Sequence, residues 1–512
     1  MKKNIYKILL ILLLFSATMF ANSRLIPRIN LIRNMAGLTR SLPLENAPPQ
    51  FVIAVNLLGG LRSVLIDMLW LRTIKLREQG KFFEMSQLYN WICELEPQIE
   101  DIWTHNAWNM AYNISFEMPF EKDRWRWINK AIHLLRDQGL KYNSKSAKIR
   151  KEIAWIYSHK IGQSWDDMHF YYKKQLAIEM NGLVRGIEDL KKMNSLKKTT
   201  VLMKNDPELN KLFTDLQYNG IHNYTDFRNA FEENKENSEY DEKLMDKICL
   251  ILRRDQLQER LKLDISEMIK IMNKFGQLDW RLPDTHAIYW AYTAKKFADK
   301  KNMILYDRII YVSMQTMYRR GKLFLMKDGD DYLYITTPDK KFIDTMYQVY
   351  KEIIEYYRES EATIKNIKTS YFYFLSESIV LLYALNDTEN AKKYFDIIKK
   401  SFPEKIKEDN YQVYALNEFK ITAQTGNYDQ VKGLLYSLVK QAYWNLSLGE
   451  EEAFAGYIKL ATMLRTEYTK AVSNQARLRL PSIETLKKQA LKETDKFPNP
   501  LKKSLDKKIG TE

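Results

Sequence analysis

The sequence predicts an all-α protein built from antiparallel helix pairs, with one small β-hairpin set among them. Three observations lead there. Glycine and proline number only 17 and 13 among 512 residues, about half of ordinary usage (roughly 7 and 5 per cent), so turns are sparse and the segments between them long. Hydrophobic residues make up 45% of the chain and aromatic residues 13%, enough to fill a large core and to exclude global disorder. Helical hydrophobic spacing recurs in pairs of segments separated by short turns. The two cysteines, Cys93 and Cys249, exclude a disulfide scaffold or a multi-cysteine metal centre. Each falls within an apolar helical pattern and is expected to be a small buried hydrophobe.

At the N-terminus, Lys2, Lys3 and Lys7 precede the uncharged apolar run Ile8–Ala21. A basic head followed by an apolar stretch is the pattern of an export signal, so residues 1–23 are expected to be a signal peptide or membrane anchor. Residues 24–50 form a basic extension. Phe51–Leu71 is the next most apolar stretch, but Arg62 and Asp67 interrupt it, which predicts an amphipathic, core-facing helix instead of a membrane span. The formal charge of +16 invites a nucleic-acid reading. Its distribution weakens that reading: residues 1–50 carry +6 and residues 482–512 carry +3, leaving +7 over the long middle.

Residues 51–190 read as helical repeats. A helix over Ser63–Arg77, with Leu65, Leu69, Arg72 and Leu76 near one face, meets a turn at Gly80. A second helix follows, with Met85 and Tyr89 at the small and aromatic positions of a tetratricopeptide frame and Pro97 as its terminator. Trp103, Ala107, Met110 and Ala111 form the inner face of the next helix; its partner runs from about Trp125 to Tyr142. Ala154 and Tyr157 line another that turns near Gly162, and Phe170–Asn181 returns. Residues 191–270, charged and broken at Asp206-Pro207 and Asn219-Gly220, read as an inserted linker with short helices. Within 271–340, Gly321–Thr337 reads as a hairpin, because aromatic and β-branched residues flank a KDGD turn. Repeats resume over 341–480, with Ala391, Phe395, Ile398 and Pro403 in one unit. Gly426-Asn427-Tyr428-Asp429 is the turn before Val431, Leu435 and Leu438 in another. The helical basic tail, 481–512, holds one amphipathic helix; Pro498-Asn499-Pro500 is expected to break it and leave a loose Lys-rich end.

The densest candidate site is the cluster Asp279, Trp280, Arg281, His286, Tyr289 and Trp290. Pro283 forces an extended approach, Asp284 or Thr285 can cap the helix that follows, and His286 and Trp290 share a face. Asp279, Arg281 and His286 could line a polar pocket walled by the two tryptophans; equally, Asp279–Arg281 could be a local ion pair and the tryptophans core. Asp166, Asp167 and His169, with His159 nearby, are metal-ligand types without metal-ligand spacing. Asp166 also suits a helix start. Arg124-Trp125-Arg126-Trp127 alternates base and aromatic, but on a helix that pattern splits between core and surface. No phosphate-binding glycine loop or nucleophile elbow is present. Glu377-Ser378 matches only two residues of the catalytic motif of helical-solenoid lytic transglycosylases.

The phrases LLGGLRSVLIDMLWLR, AWNMAYNIS, RWRWINKAIHLLRDQGLKYN and LDWRLPDTHAIYWA resemble those of a family of uncharacterised bacterial proteins. Its members bear a signal or anchor and divergent tetratricopeptide-like repeats, and occur in planctomycete- and verrucomicrobia-type bacteria. The resemblance spans about half the chain. It implies a repeat fold and export and carries no catalytic residue. The expectation is an all-α, tetratricopeptide-like solenoid in the cell envelope, anchored to the inner membrane by its N-terminus. Its expected partner is a protein or peptide on the concave face, with the membrane held through the N-terminal segment and nucleic acid disfavoured. No enzymatic activity, cofactor or metal is expected. The alternative is an envelope enzyme or carbohydrate-binding protein using the Asp279–Trp290 cluster.

Overall fold

The computed structural model describes residues 61–233, 241–329, 331–417, 428–472 and 480–510, with scattered positions between 13 and 35. The apolar run Ile8–Ala21 and the basic extension lie largely outside the described residues, as do Gly426 and Asn427 of the predicted turn, whereas Tyr428 and Asp429 already begin a helix, against the expected turn. Among the described residues no helix is long and apolar enough to cross a membrane. The protein is all-α: the structure is 78% helical, and among the described residues there is one two-stranded antiparallel sheet. The chain forms two compact units, residues 1–106 with 141–144, and residues 107–140 with 145–512.

In the first unit, α1 (Leu61–Glu78) and α2 (Phe82–Leu95) form a helical hairpin. Gly80 turns it at φ +68°, a conformation costly for any residue with a Cβ. Met85 and Tyr89 are buried. Beyond α2 the Pro97 carbonyl accepts from Trp103 Nε1 at 2.8 Å and Asn143 Nδ2 at 2.7 Å. The terminating proline is thus fixed by the start of α3 (Glu100–Trp108). The α1 face departs from expectation. Leu76 and Thr73 are buried, but Arg72 is exposed, and Val64, Met68, Leu71 and Ile74 are between 45% and 66% exposed. One narrow stripe of α1 meets α2, and nothing described covers the other side.

In the second unit, α3 continues through a π-helical turn, Asn109–Ile114. Turns of the same kind end α4 (Glu121–His133) at Leu134–Gly139 and α5 (Ala147–Trp155) at Ile156–Ile161. Ala107, Met110 and Ala111 are buried as predicted, as are Ile128, Ala131, Ile153 and Ala154. After α6 (His169–Met180) come α7 (Ile187–Ser195), α8 (Thr199–Asn205), α9 (Pro207–Tyr218), α10 (Tyr224–Phe227), α11 (Glu242–Asp255) and α12 (Ile265–Phe275). These are short, but several are anchored: Leu209, Leu212, Leu216, Ile248 and Leu252 are buried. Asp206-Pro207 starts a helix; Asp206 accepts from the Leu209 backbone N–H at 3.0 Å, and proline fits the first helical position. Cys93 in α2 and Cys249 in α11 are both buried.

Next come α13 (Pro283–Ala294) and α14 (Met303–Arg320), then the predicted hairpin. Its strands β1 (Lys322–Asp328) and β2 (Asp331–Thr337) pair from Lys322↔Thr337 to Asp328↔Asp331. Long helices follow: α15 (Lys341–Tyr356), α16 (Glu361–Ala384), α17 (Thr388–Ser401), α18 (Tyr428–Ser447) and α19 (Glu451–Val472). Ala391, Phe395 and Ile398, and Val431, Leu435 and Leu438, are buried. The tail corrects the expected loose end. After α20 (Ile483–Glu493), Pro500 sits in the first turn of α21 (Asn499–Ile509), where a missing N–H costs nothing. Leu501 and Leu505 are completely buried, and Lys508 pairs with Glu451 at 2.6 Å.

Candidate functional site

The Asp279–Trp290 segment splits into a surface half and a buried half. Asp279 and Arg281 form a forked ion pair, with Nη2 to Oδ2 at 2.7 Å and Nε to Oδ1 at 3.0 Å; Arg281 also donates to the Leu323 carbonyl on β1 at 3.2 Å. Together with Trp280 they line one wall of a cleft of about 360 Å³. The opposite wall is the loop Asn181–Gly186, between α6 and α7. That loop is held from beneath by two buried arginines: Arg228 donates to the Asn181 carbonyl at 3.0 Å, and Arg253 donates to the Leu183 carbonyl at 3.0 Å and pairs with Asp189. Nothing in the local sequence of the 279–290 segment signals this second wall.

His286, Tyr289 and Trp290 do not line the cleft; they are core. Nearly all of α13 is buried, so it presents no single inner face. His286 Nε2 lies 2.9 Å from the Trp280 carbonyl, and its ring stacks on Tyr157 at 4.8 Å. Burial pushes its pKa down to about 4, so the ring is neutral. Tyr289 Oη accepts from the Asp264 backbone N–H at 2.8 Å, tying α13 to the start of α12. Neither Asp284 nor Thr285 caps α13. Leu282 occupies the cap position ahead of Pro283, and Thr285 donates to the Asp279 carbonyl at 2.6 Å.

Asp284 is instead turned inward. It is buried, its Oδ1 lacks a hydrogen-bond partner among the described residues, and burial raises its pKa to about 7, an effect partly offset by the Lys173 ammonium. Burial in turn lowers Lys173 to about 8, and its Nζ lies 2.9 Å from His169 Nδ1. Sequence reading missed this pair because the two residues are far apart along the chain.

The metal-ligand types resolve as an ion-pair knot. Asp166 is buried against Lys160 at 2.5 Å and Arg124 at 3.2 Å, and Asp167 receives Arg124 at 2.8 Å. Burial alone would raise the Asp166 pKa, but the Lys160 ammonium and the Met168 backbone N–H hold it below the usual carboxylate range. Among the described residues no group of three or more His, Cys, Asp or Glu could hold a metal ion. Arg124 is buried while Arg126 is exposed, the split expected of that alternating run.

This knot braces a surface that sequence reading did not find. Phe116, Phe120, Trp165 and Phe170 are 65%, 68%, 80% and 64% exposed. Phe116 follows the π-helical turn after α3, Phe120 precedes α4, Trp165 lies in the loop after α5 and Phe170 at the start of α6; the Arg124 pairs with Asp166 and Asp167 tie the start of α4 to the segment leading into α6. Trp165 stacks on His159 at 6.1 Å, His159 on Trp155 at 4.7 Å, and Tyr112 Oη lies 3.2 Å from His159 Nδ1. The Arg124 guanidinium lies over the Phe116 ring at 5.4 Å. The result is a display of large exposed rings on a backbone fixed by stacking and buried charge. No protein-family model matches the chain, and no curated protein matches it.

Proposed function

We propose that the chain is an exported, membrane-tethered scaffold of the tetratricopeptide-like family its sequence resembles, with its helix pairs arranged as a solenoid that holds a protein or peptide partner in the cell envelope. One observation supports this above others: the braced aromatic surface of Phe116, Phe120, Trp165 and Phe170. Water-exposed aromatic area of this kind is unfavourable unless a partner covers it. Rigid rings are also well suited to binding, since they lose little conformational entropy on contact. Affinity capture of the tagged chain from detergent-solubilised envelope is expected to recover a stoichiometric partner. Recovery of the chain alone would count against the scaffold.

The cleft between Asp279–Arg281 and Asn181–Gly186 favours a second reading, an envelope enzyme or carbohydrate-binding protein. Only the surface half of the motif bears on it. Arg281→Ala is expected to abolish ligand binding with little loss of stability if the cleft is used. Loss of stability without a binding defect would return Arg281 to a structural role.

A further inference from the structure

We propose that the cleft between Asn181–Gly186 and Asp279–Arg281 takes a small sugar that carries an anionic group, phosphoryl or carboxylate. The inference rests on the second reading above and names its ligand class. Hydrogen-bond donors dominate the lining. On one wall Arg281 sets Nε and Nη2 against Asp279 and the Leu323 carbonyl, and its Nη1 takes no part in those bonds. Among the described residues Asp279 is the one carboxylate in the lining, and its charge is already met by Arg281. On the other wall the exposed Arg185 adds a second guanidinium. The backbone of that wall is rich in donors as well. Its Asn181 and Leu183 carbonyls are taken by Arg228 and Arg253, whereas the N–H groups of Gly182, Val184 and Gly186 have no acceptor among the described residues. Gly186 stands at φ +122°, which favours glycine, and nothing lies within 4 Å of the place its Cβ would take, so a ligand can approach the bare backbone. A guanidinium holds phosphate or carboxylate through charge-assisted hydrogen bonds roughly twice as strong as neutral ones. Asn181 and Gln277 bring a side-chain amide from each wall for sugar hydroxyls. A neutral sugar finds less here. Its apolar face calls for an exposed ring, and Trp280, the aromatic residue of the lining, is 2% exposed with its Nε1 turned to Met272 Sδ at 3.3 Å. At about 360 Å³ the cleft lies at the small end of ligand sites (roughly 300–1,000 Å³), which suits a monosaccharide derivative.

The test titrates the full chain with glucose, glucose-6-phosphate, glucuronate and inorganic phosphate by calorimetry at physiological ionic strength. Saturable binding of glucose-6-phosphate or glucuronate is expected, at least tenfold tighter than that of glucose. Arg185→Ala is expected to weaken this binding at least tenfold without moving the unfolding midpoint. Arg126→Ala, at an exposed arginine outside the lining, is expected to leave it unchanged. Undiminished binding by Arg185→Ala, or equal losses in the two variants, would assign the anion to the general positive charge of the chain and overturn the proposal. Glucose bound as tightly as the acidic sugars would overturn the anionic ligand class and leave the carbohydrate reading standing. Inorganic phosphate bound as tightly as glucose-6-phosphate would make the cleft a simple anion site and overturn the sugar. Saturable binding of none of the probes overturns both this ligand class and the second reading.

Discussion

The imidazole of His286 is stacked on the ring of Tyr157 at 4.8 Å with 18° between the planes, and both side chains are buried. The contact joins α13 to the π-helical end of α5, which makes the most prominent histidine of the candidate motif a packing element. Its surroundings also create a pH dependence that opposes one arising at Asp284, two residues earlier.

In the unfolded chain His286 takes up a proton near pH 6.5, but when folded only near 4. Its contribution to stability is complete above pH 6.5 and is lost as pH falls toward 4. Asp284 runs the other way. Its carboxyl protonates near 3.8 unfolded and about 7 folded, so its contribution is complete below 3.8 and is lost as pH rises toward 7. Between pH 4 and 6.5 the two slopes largely cancel. Asp284→Asn should therefore unmask a stability that climbs with pH over that window, and His286→Gln one that declines. Urea midpoints across pH 4 to 7 are the measurement; parallel profiles for both variants and the parent chain would show that the two groups titrate as they do in water.

Gly456 in α19 crosses the end of α16 so closely that an added Cβ would overlap the Ala384 carbonyl oxygen. Helix propensity alone favours Gly456→Ala by about 1 kcal/mol. The close approach reverses the sign, and the variant is expected to unfold at lower urea than the parent. A gain in midpoint would contradict the crossing.

Leu505→Ala tests the docked tail. Its side chain is completely buried, and removing such a leucine typically costs about 2–5 kcal/mol. Amide exchange in α21 should accelerate accordingly. Unchanged protection would mean that the tail is not held by this contact.

Local punctuation made much of the fold legible. Gly80, Pro97 and the KDGD turn mark chain reversals whose chemistry is complete within a few residues, and Ala107, Met110 and Ala111 show their inner face through spacing alone. The rest depended on what arrives from elsewhere. Asp284 looked like a helix cap because its neighbours along the chain permit one, whereas α14 and Lys173 surround it in space. Phe116, Phe120, Trp165 and Phe170 have the composition of a core, and only the three-dimensional course of α3 to α6 leaves them outside. Pro498-Asn499-Pro500 resembled a terminator because proline stops one helix by the same property that lets it begin another. Of the candidate site, Asp279, Trp280 and Arg281 reached a cleft, while His286, Tyr289 and Trp290 went to the core.

The scaffold reading rests on the aromatic end, so the most direct measurement is the amount of partner captured per chain from solubilised envelope by the parent and by a Phe120→Ala, Trp165→Ala double variant. Both side chains are well exposed, so folding should change by no more than about 0.5 kcal/mol per site. Capture is expected to fall at least tenfold while the unfolding midpoint stays put. Undiminished capture by the folded double variant would contradict the assignment of this surface to partner binding.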